Sequence, residues 1–402
     1  MTLDDILDKE VTRLQTYLEA GRLSFLGSLA RSKAALLVIA LLVIVFQMRN
    51  LPQTLASSSL DAAISIQSPA APATVRLVTI DDQDYATLFN AHSPLDPDVF
   101  GQLLSAIAAG QPRAIVVDID TSDSSFGTMS VPSIPIVWNV SGDQKSDGKF
   151  TLDKPLGGRP LAREWVTALA VMPRDDRGIV RGYQEAYPVE DGGVVSSPGH
   201  AATLLAGMAK KPNTVGGLAI EYLDFRYQFS PIKARDLLAD AGASSWSRIG
   251  AFRNQIVVIG GAYRVARDQY ATPKGIMDGC QIVAEATESE IDGTLIHPAS
   301  RWMTGLMMIL AGLAILAVYH WLALRVAFVV SLVMVPLLSI MANWILFHRL
   351  AAWGALVPLV VAVIVVELYS KAAIYLTFYE RLKAVKKVDA AEIEANRTTV
   401  QQ

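Results

Sequence analysis

Four long apolar stretches stand out in the pattern of hydrophobic and polar positions along the chain. A helix that crosses a bilayer needs roughly 17 to 25 mostly apolar residues, because it rises about 1.5 Å per residue across about 30 Å of hydrocarbon. Three stretches near the C-terminus are this long, and Glu367, their one charged residue, lies near an end where its carboxylate can reach the interface. The stretches are Met303–Leu324, Val326–Phe347 and Leu350–Tyr369. The pattern predicts three transmembrane helices within residues 301–370.

The first apolar stretch, Ala34–Met48, is short for a span, with 15 uncharged residues between Lys33 and Arg49. Snorkelling of these two basic side chains extends its reach. A cleaved signal peptide is the alternative, because small residues follow at positions 55–58. The 33 residues before the stretch are, however, far longer than the usual leader of a signal peptide. We therefore expect an uncleaved transmembrane anchor at residues 34–50.

Basic residues flank the outer ends of the first and last predicted spans, which predicts that both termini face the cytoplasm. These residues are Arg22, Arg31 and Lys33 before the first span and Lys371, Arg381, Lys383, Lys386 and Lys387 after the last. Four spans then place residues 51–300 outside the cytoplasm. We expect a multi-pass protein of a bacterial inner membrane, with a periplasmic domain at 51–300 and a short cytoplasmic tail at 371–402.

Residues 1–33 are predicted to form a cytoplasmic amphipathic helix, because apolar residues recur there near helical spacing. Its polar face is acidic early, which weakens attraction to anionic lipid and favours a protein partner or a second copy of the chain. The apolar positions are Leu3, Ile6, Leu7, Val11, Leu14 and Leu18.

Composition agrees with a membrane protein, since hydrophobic residues make up 52% of the chain and the mean hydropathy is +0.34. A net charge of -3 without a basic stripe excludes nucleic acid as a partner. The single cysteine, Cys280, has no second thiol for an internal disulfide or a zinc site, and its apolar surroundings favour a buried structural role. No nucleophile motif accompanies the histidines, so we expect no enzyme activity and no metal, and the sequence identifies no cofactor.

The region between the spans alternates strand and helix patterns. Val75–Ile80 and Ala114–Val117 read as buried strands, and the helix predicted between them over 96–109 begins at Asp96-Pro97 and ends at Gly110. This arrangement predicts a βαβ unit with parallel pairing of its two strands. Loops are predicted over 121–160 with a brief strand at 134–138, and the remaining predictions are strands at 166–171, 179–186, two within 218–229 and 255–259, with helices at 200–208, capped by Ser196 or Ser197, and 277–290. The fold class is therefore a mixed, largely parallel α/β sheet flanked by helices, with one transmembrane helix before it and three after it.

Several motifs in this region occur together in one order. The motifs are Thr79–Asp82, Pro112–Asp118, Asp176–Arg181 and Phe252–Gly260, followed by Asp268 and Thr272-Pro273. Together they resemble the type-two CHASE sensory domain over about residues 50–300. The resemblance implies an extracytoplasmic input domain that is normally joined through helices to a cytoplasmic cyclase, kinase or diguanylate cyclase.

The chain departs from that family plan in two places. After Tyr369 it has 33 residues, too few for a catalytic output domain, so we expect it to act through a separate polypeptide. Relatives tend to carry a polar His and Asn in the run that reads Asp278–Glu285 here, and this chain has neither, so a site built from them would be altered.

Aspartates at the ends of the predicted strands are the leading site candidates. Asp81, Asp82, Asp118 and Asp120 should converge if their strands are parallel, because ligands bind outside the carboxyl ends of such strands. Carboxylates grouped in this way suit a hard cation such as Ca²⁺ or Mg²⁺. The alternative is that they cap helices and end strands, as aspartate commonly does.

The family motifs add Arg181, Asp268 and Thr272 as further candidate ligand-binding residues. Arg181 and Asp268 could instead pair within the fold. Gly260-Gly261 with the nearby Arg264 and Arg267 could receive an anion, or could mark a tight turn where only glycine fits.

Two classes of function follow. The first is a non-enzymatic sensor that relays an envelope signal to a separate cytoplasmic partner. The second is a structural or assembly subunit of an envelope complex, in which the outer domain binds a partner protein. Other protein subunits are expected on both the periplasmic domain and the N-terminal helix, and a homo-oligomer is compatible with either class.

Overall fold

Parallel strands form the centre of the computed structural model, which describes residues 60–208, 220–242 and 250–298 together with scattered residues between 300 and 353. Within residues 59–298, one compact unit, the strands are β1 (Val75–Ile80), β2 (Ala114–Asp118), β3 (Ile136–Val140), β4 (Gly142–Gln144), β5 (Phe150–Leu152), β6 (Trp165–Leu169), β7 (Gly182–Gln184), β8 (Ala186–Pro188), β9 (Val194–Ser196), β10 (Ile220–Tyr222), β11 (Ile232–Lys233), β12 (Ile256–Gly261), β13 (Gln269–Thr272), β14 (Gly275–Asp278) and β15 (His297–Pro298). The helices of this unit include α1 (Asp82–Thr87), α2 (Pro97–Ala109), α3 (Pro198–Leu205), α4 (Ala234–Gly242) and α5 (Gly279–Asp292), with short 3-10 turns at Ser124–Thr128, Leu156–Gly158 and Arg264–Ala266.

The central sheet has the strand order β11-β1-β12-β2-β3-β6, and all neighbouring strands in it run parallel. The prediction that β1 and β2 pair with each other is wrong, because β12 lies between them. The reason is that β12 is apolar along its whole length and is buried on both sides, which suits it to the middle of a sheet. The predicted fold class, a largely parallel α/β sheet with flanking helices, is confirmed.

Helices cover both faces of this sheet. Ile115, Val117 and Ile259 point to one face, where they pack with the apolar residues of α2 and α4. Val116 and Val258 point to the opposite face, where they pack with α3 and α5. Each strand therefore alternates its side chains between two apolar layers, which is the pattern of a parallel sheet buried on both sides.

Helix α2 forms as the sequence predicts. The Asp96 side chain accepts hydrogen bonds from the amides of Asp98 and Val99, Pro97 occupies the first turn, and Gly110 is the C-cap. Its buried side chains include Phe100, Leu103, Leu104 and Ile107, the four that give the segment its helical spacing.

Several predicted elements differ in detail from the structure. The predicted strand at 179–186 is divided into β7 and β8. The brief strand predicted at 134–138 is present as β3, and the predicted loop region around it also contains β4 and β5. Residues 220–229 contain one strand, β10, and Tyr227 forms an isolated bridge with Ala70 instead of a second strand. Helix α3 starts at Pro198, and Ser197 is at its N-cap but makes no capping bond, because its hydroxyl donates to Tyr183.

The predicted N-terminal amphipathic helix, the first span and the cytoplasmic tail lie outside the described residues. The residues described individually between 302 and 344 are helical, and Ala352–Trp353 forms a short strand. Among the residues that the structure describes, no helix has the length and hydropathy needed to cross a membrane.

Candidate functional site

A row of positions crosses the carboxyl end of the central sheet on its α5 side. Thr79 of β1 is in register with Gly260 of β12, and Gly260 with Asp118 of β2. Asn139 of β3 extends the row, since its amide nitrogen donates to Asp118 Oδ1 over 2.6 Å. These residues share the face of Val116 and Val258 because side chains alternate along each strand. The row thus places a carboxylate and an amide beside the start of α5.

Asp118 has one hydrogen-bonded oxygen and one that is buried without a partner. The side-chain oxygen of Asn139 is also buried without a partner. Burial and, second, the negative charge of Asp268 raise the pKa of Asp118 to about 7, against the opposing effect of the Asn139 hydrogen bond. Asp118 therefore titrates near neutral pH, where most aspartates are fully ionised.

Asp268 is brought to this row by the connection between β12 and β13. Its backbone carbonyl accepts the amide of Gly279 at 2.8 Å, and its carboxylate lies so close to the Cα of Gly279 that a side chain there would overlap it. Burial and the charge of Asp278 raise the pKa of Asp268, against the hydrogen bond from Tyr270 and the charge of Arg174. The structure thus brings together Asp118 and Asp268, two of the residues predicted from sequence.

Glycine at position 260 allows α5 to pack closely against β12. A Cβ at position 260 would overlap the Cβ of Cys280 and lie 3.2 Å from the backbone oxygen of Asp118. The tight turn predicted at Gly260-Gly261 is wrong, because both residues lie in β12. Glycine is needed at position 260 because α5 packs closely against the strand there. Cys280 is fully buried, and burial raises the pKa of its thiol well above the usual value, which keeps it protonated.

Asp81 and Asp82 follow β1 and make their contacts on a different part of the edge. The Asp81 side chain caps α1 by accepting the amide of Asp84, and it accepts a hydrogen bond from Arg235 at 2.8 Å. Burial alone would raise the pKa of Asp81, but these hydrogen bonds and the charges of Lys233 and Arg235 hold it below its usual value. Asp82 accepts the backbone amide of Arg264 at 2.9 Å. Both residues thus have local roles at the ends of elements.

Asp120, Arg181 and Thr272 also have local partners. Asp120 is exposed and accepts the amide of Ser122. Arg181 pairs with Asp61 and Asp175 and not with Asp268. The Thr272 hydroxyl donates to the carbonyl of Gly275 at 2.7 Å and closes the turn between β13 and β14.

The site includes residues that sequence reasoning missed, chiefly Asn139, Arg174, Tyr270 and Asp278. Asn139 had a signal, because it is a polar residue inside an otherwise apolar strand. No sequence signal marks Arg174 or Tyr270. The guanidinium of Arg174 lies 4.7 Å from the centre of the Tyr270 ring, but the two residues are distant in sequence and meet only in the folded domain. Among the residues that the structure describes, no group of three or more histidine, cysteine or acidic side chains is arranged to hold a metal ion.

A family model for the CHASE2 domain matches residues 37–318 of this chain. The match covers more than two thirds of the 402 residues, and the chain belongs to the CHASE2 domain family. This confirms the resemblance found in the sequence motifs. CHASE2 domains are extracellular sensory domains and not catalytic ones. No curated protein and no solved structure matches the chain.

Proposed function

We propose that this chain is a membrane-anchored sensor whose CHASE2 domain lies in the periplasm and relays an envelope signal to a separate cytoplasmic partner. The family match carries the proposal, because the matched domain is of a sensory kind. The domain also presents, at the carboxyl edge of a parallel sheet, a carboxylate with an unpartnered buried oxygen. Such edges are the usual place for ligands in open α/β sheets. We propose the Asp118–Asp268 pair as the part of the domain that responds to the signal.

Anchoring in the membrane has support from the apolar composition after residue 300 and from exposed side chains there. Trp302, Leu306 and Leu310 recur every fourth residue at helical positions, and each exposes more than half of its surface. Val333, Leu337, Met341 and Trp344 are likewise helical and at least half exposed. Apolar side chains exposed in regular rows along helices suit contact with lipid and not with water.

Introduced cysteines test this topology, and Cys280 does not interfere because it is fully buried. Ser146→Cys places a thiol in the exposed turn between β4 and β5, and Thr12→Cys places one in the predicted cytoplasmic segment. A membrane-impermeant maleimide added to intact cells should label the first variant and not the second, whereas both should react after lysis. Labelling of both variants in intact cells, or of Thr12→Cys alone, would contradict the proposed topology.

Replacing Asp118 with Asn, in comparison with Asp120→Asn, tests whether the Asp118–Asp268 pair responds to the signal. Asp120 is the matched control, because it follows the same strand but is exposed and bonded only to a neighbouring amide. In a cell that reports on the downstream pathway, Asp118→Asn should alter the signal while Asp120→Asn should not. Identical output from wild type and Asp118→Asn, at equal protein levels, would remove this pair from the proposal.

A further inference from the structure

A second group of titratable side chains lies where α3, α5, β10 and β15 meet. It holds three buried glutamates and two histidines and is called the His–Glu cluster below. Glu185, Glu221 and Glu290 expose 7%, 3% and 7% of their surface, and His200 exposes 9%. The fifth member, His297, is about one third exposed. Buried charges of this number need partners or protons.

Glu290 is the best satisfied member of the cluster. One of its oxygens lies 2.7 Å from His200 Nδ1 and accepts the Thr203 hydroxyl at 2.7 Å. The other accepts the Tyr183 hydroxyl at 2.7 Å. The carboxylate therefore joins α5 to α3 and β7.

Glu221 and Glu185 are less well satisfied. One oxygen of Glu221 lies 2.8 Å from His297 Nδ1, while the other is buried without a partner. Glu185 likewise has a buried oxygen without a partner. With both histidines protonated the five side chains carry a net charge of about -1, and with both neutral about -3 if all three glutamates are ionised. The protons on His200 and His297 thus limit repulsion inside the domain.

The cluster lies where the chain leaves the domain. Ile296 and Tyr222 exchange two backbone hydrogen bonds of 2.8 Å, and β15 follows directly and ends the compact unit at Pro298. Strand β10 pairs in turn with β7. Just before β7, Arg181 makes two bonds of 2.6 and 2.7 Å to Asp61, near the start of the unit. The β7–β10 pair therefore holds both the incoming and the outgoing segments.

We propose that the His–Glu cluster is a pH-sensitive connection, in which protonated His297 holds the outgoing segment 293–298 against β10, protonated His200 offsets the charge of the neighbouring glutamates, and deprotonation of the two loosens the segment. The inference goes beyond the proposed function because it rests on the domain alone. It holds whether or not the Asp118–Asp268 pair responds to a signal.

The electrostatics give the direction of the effect. The hydrogen bond to Glu221 and the charges of Glu221 and Glu185 raise the pKa of His297. Burial would lower the pKa of His200, but Glu290, Glu185 and Glu221 face it and together raise it. Tyr183, which also faces Glu290, has a pKa raised mainly by burial and stays neutral. The attraction between the protonated histidines and the glutamates is therefore fully present below the ordinary histidine pKa of 6.5. It is lost as the pH rises through the raised pKa values of His200 and His297.

Burial also raises the pKa of Glu185, and the charges of Glu221 and Glu290 raise it further, against the charges of the two histidines. Ionisation of Glu185 as the pH rises adds negative charge to the same place. Glutamate and histidine titrations therefore act in the same direction.

Hydrogen exchange of the full chain in detergent, read by mass spectrometry, tests the proposal on the unmodified protein. Exchange in 293–298, corrected for the intrinsic pH effect, is compared with exchange in β12 as an internal reference. We expect protection of 293–298 to fall severalfold between about pH 5.5 and about pH 8.5, as both histidines lose their protons, while β12 stays protected. A constant ratio between the two segments would overturn the proposal.

Glu221→Gln is the matching variant, since the amide keeps a hydrogen-bonding group near His297 but removes the charge. Its protection at 293–298 should lose most of the pH dependence, because His297 then has no charged partner on β10. His92→Gln is the control, because His92 is exposed and lies near only the carbonyl of Pro94, and it should behave like wild type. A Glu221→Gln profile equal to wild type would also overturn the proposal.

Discussion

At the scale of single residues, the character of the carboxyl edge depends on Asp118, Asn139 and Asp268. Two of their oxygen atoms, one on Asp118 and one on Asn139, are buried without a hydrogen-bond donor. An unmade hydrogen bond of this kind costs about 1–3 kcal/mol. A proton on Asp118 lowers that cost by removing the charge, which is the physical reason that its pKa is raised.

Asp118→Asn should change stability in a pH-dependent way. A carboxyl whose pKa is raised in the folded state destabilises the fold when it ionises, so the penalty is absent below the ordinary value of 3.8 and complete above about pH 7. We expect little difference between variant and wild type at about pH 4 and a gain of about 1–3 kcal/mol for the variant at about pH 8. Urea unfolding at the two pH values measures this, and an equal effect at both would contradict the assignment.

Gly260→Ala should destabilise the domain by about 1–3 kcal/mol, as overpacking of a core does, because the new methyl group overlaps Cys280. Gly193→Ala is the control, since its added carbon would meet only Val189 Cγ2 at 3.8 Å. Thermal unfolding compares the two. A Gly260→Ala domain as stable as the control would show that α5 can move away from β12 at little cost.

The sequence identifies part of this site and misses the rest for a physical reason. Asp118 can be predicted as a site residue because it ends an apolar strand, and Asp268 because it belongs to a family motif. Their contact joins positions 150 residues apart, and it depends on β12 lying beside β2, which no local pattern specifies. Asp81 and Asp82 look equivalent to Asp118 in sequence, yet they end a strand on the other side of β12.

At the scale of elements, α5 connects the sheet to both titratable groups. Its first turn packs on Gly260 and Asp268, and Glu290 in its last turn reaches the His–Glu cluster. Between them, Glu288 accepts the backbone amides of Ala73, Thr74 and Val75 at 2.6 to 3.2 Å and fixes the start of β1. One helix therefore contacts both groups.

Glu288→Gln should destabilise the domain by about 1–3 kcal/mol, because one carboxylate oxygen that accepts backbone amides becomes an NH₂ group that cannot accept them. Glu164→Gln serves as the control, since Glu164 accepts only the hydroxyl of Ser133 in an exposed place. Chemical unfolding of both variants measures the difference. Equal stability of the two would mean that the amides of residues 73–75 find other acceptors.

Elements with strong local patterns were predictable, and those held by tertiary contacts were not. β1, β2, β12 and α2 follow from apolar runs and capping residues. Helix α4 did not follow from the local pattern, because charged residues interrupt its short run of alanines and leucines. It depends on Ala234 and Leu237 packing into a core formed by other elements. β11 has two residues and exists only through pairing with β1.

At the scale of the whole molecule, Arg181 connects the incoming segment to the domain. Its side chain is 4% exposed and pairs with Asp61 and Asp175. Arg181→Met removes the nearest cation from both carboxylates and leaves them Arg177 at 3.8 to 3.9 Å. We expect a loss of about 1–3 kcal/mol, because the partly buried carboxylates lose their shortest charged hydrogen bonds. Arg264→Met, which breaks an ion pair to Asp82 at a 90% exposed position, should cost less than about 1 kcal/mol. Thermal unfolding of the two variants checks the contrast, and comparable losses would contradict it.

The proposed role of this CHASE2 chain is that of a sensor acting through a separate cytoplasmic partner. Native mass spectrometry of the intact protein, gently extracted from its own membrane, tests this role because every bound chain is identified and counted. We expect the chain by itself, as one or more copies, or bound to a cytoplasmic signalling enzyme. A fixed-ratio complex with other envelope proteins would contradict it and would identify the chain as a subunit of an envelope assembly.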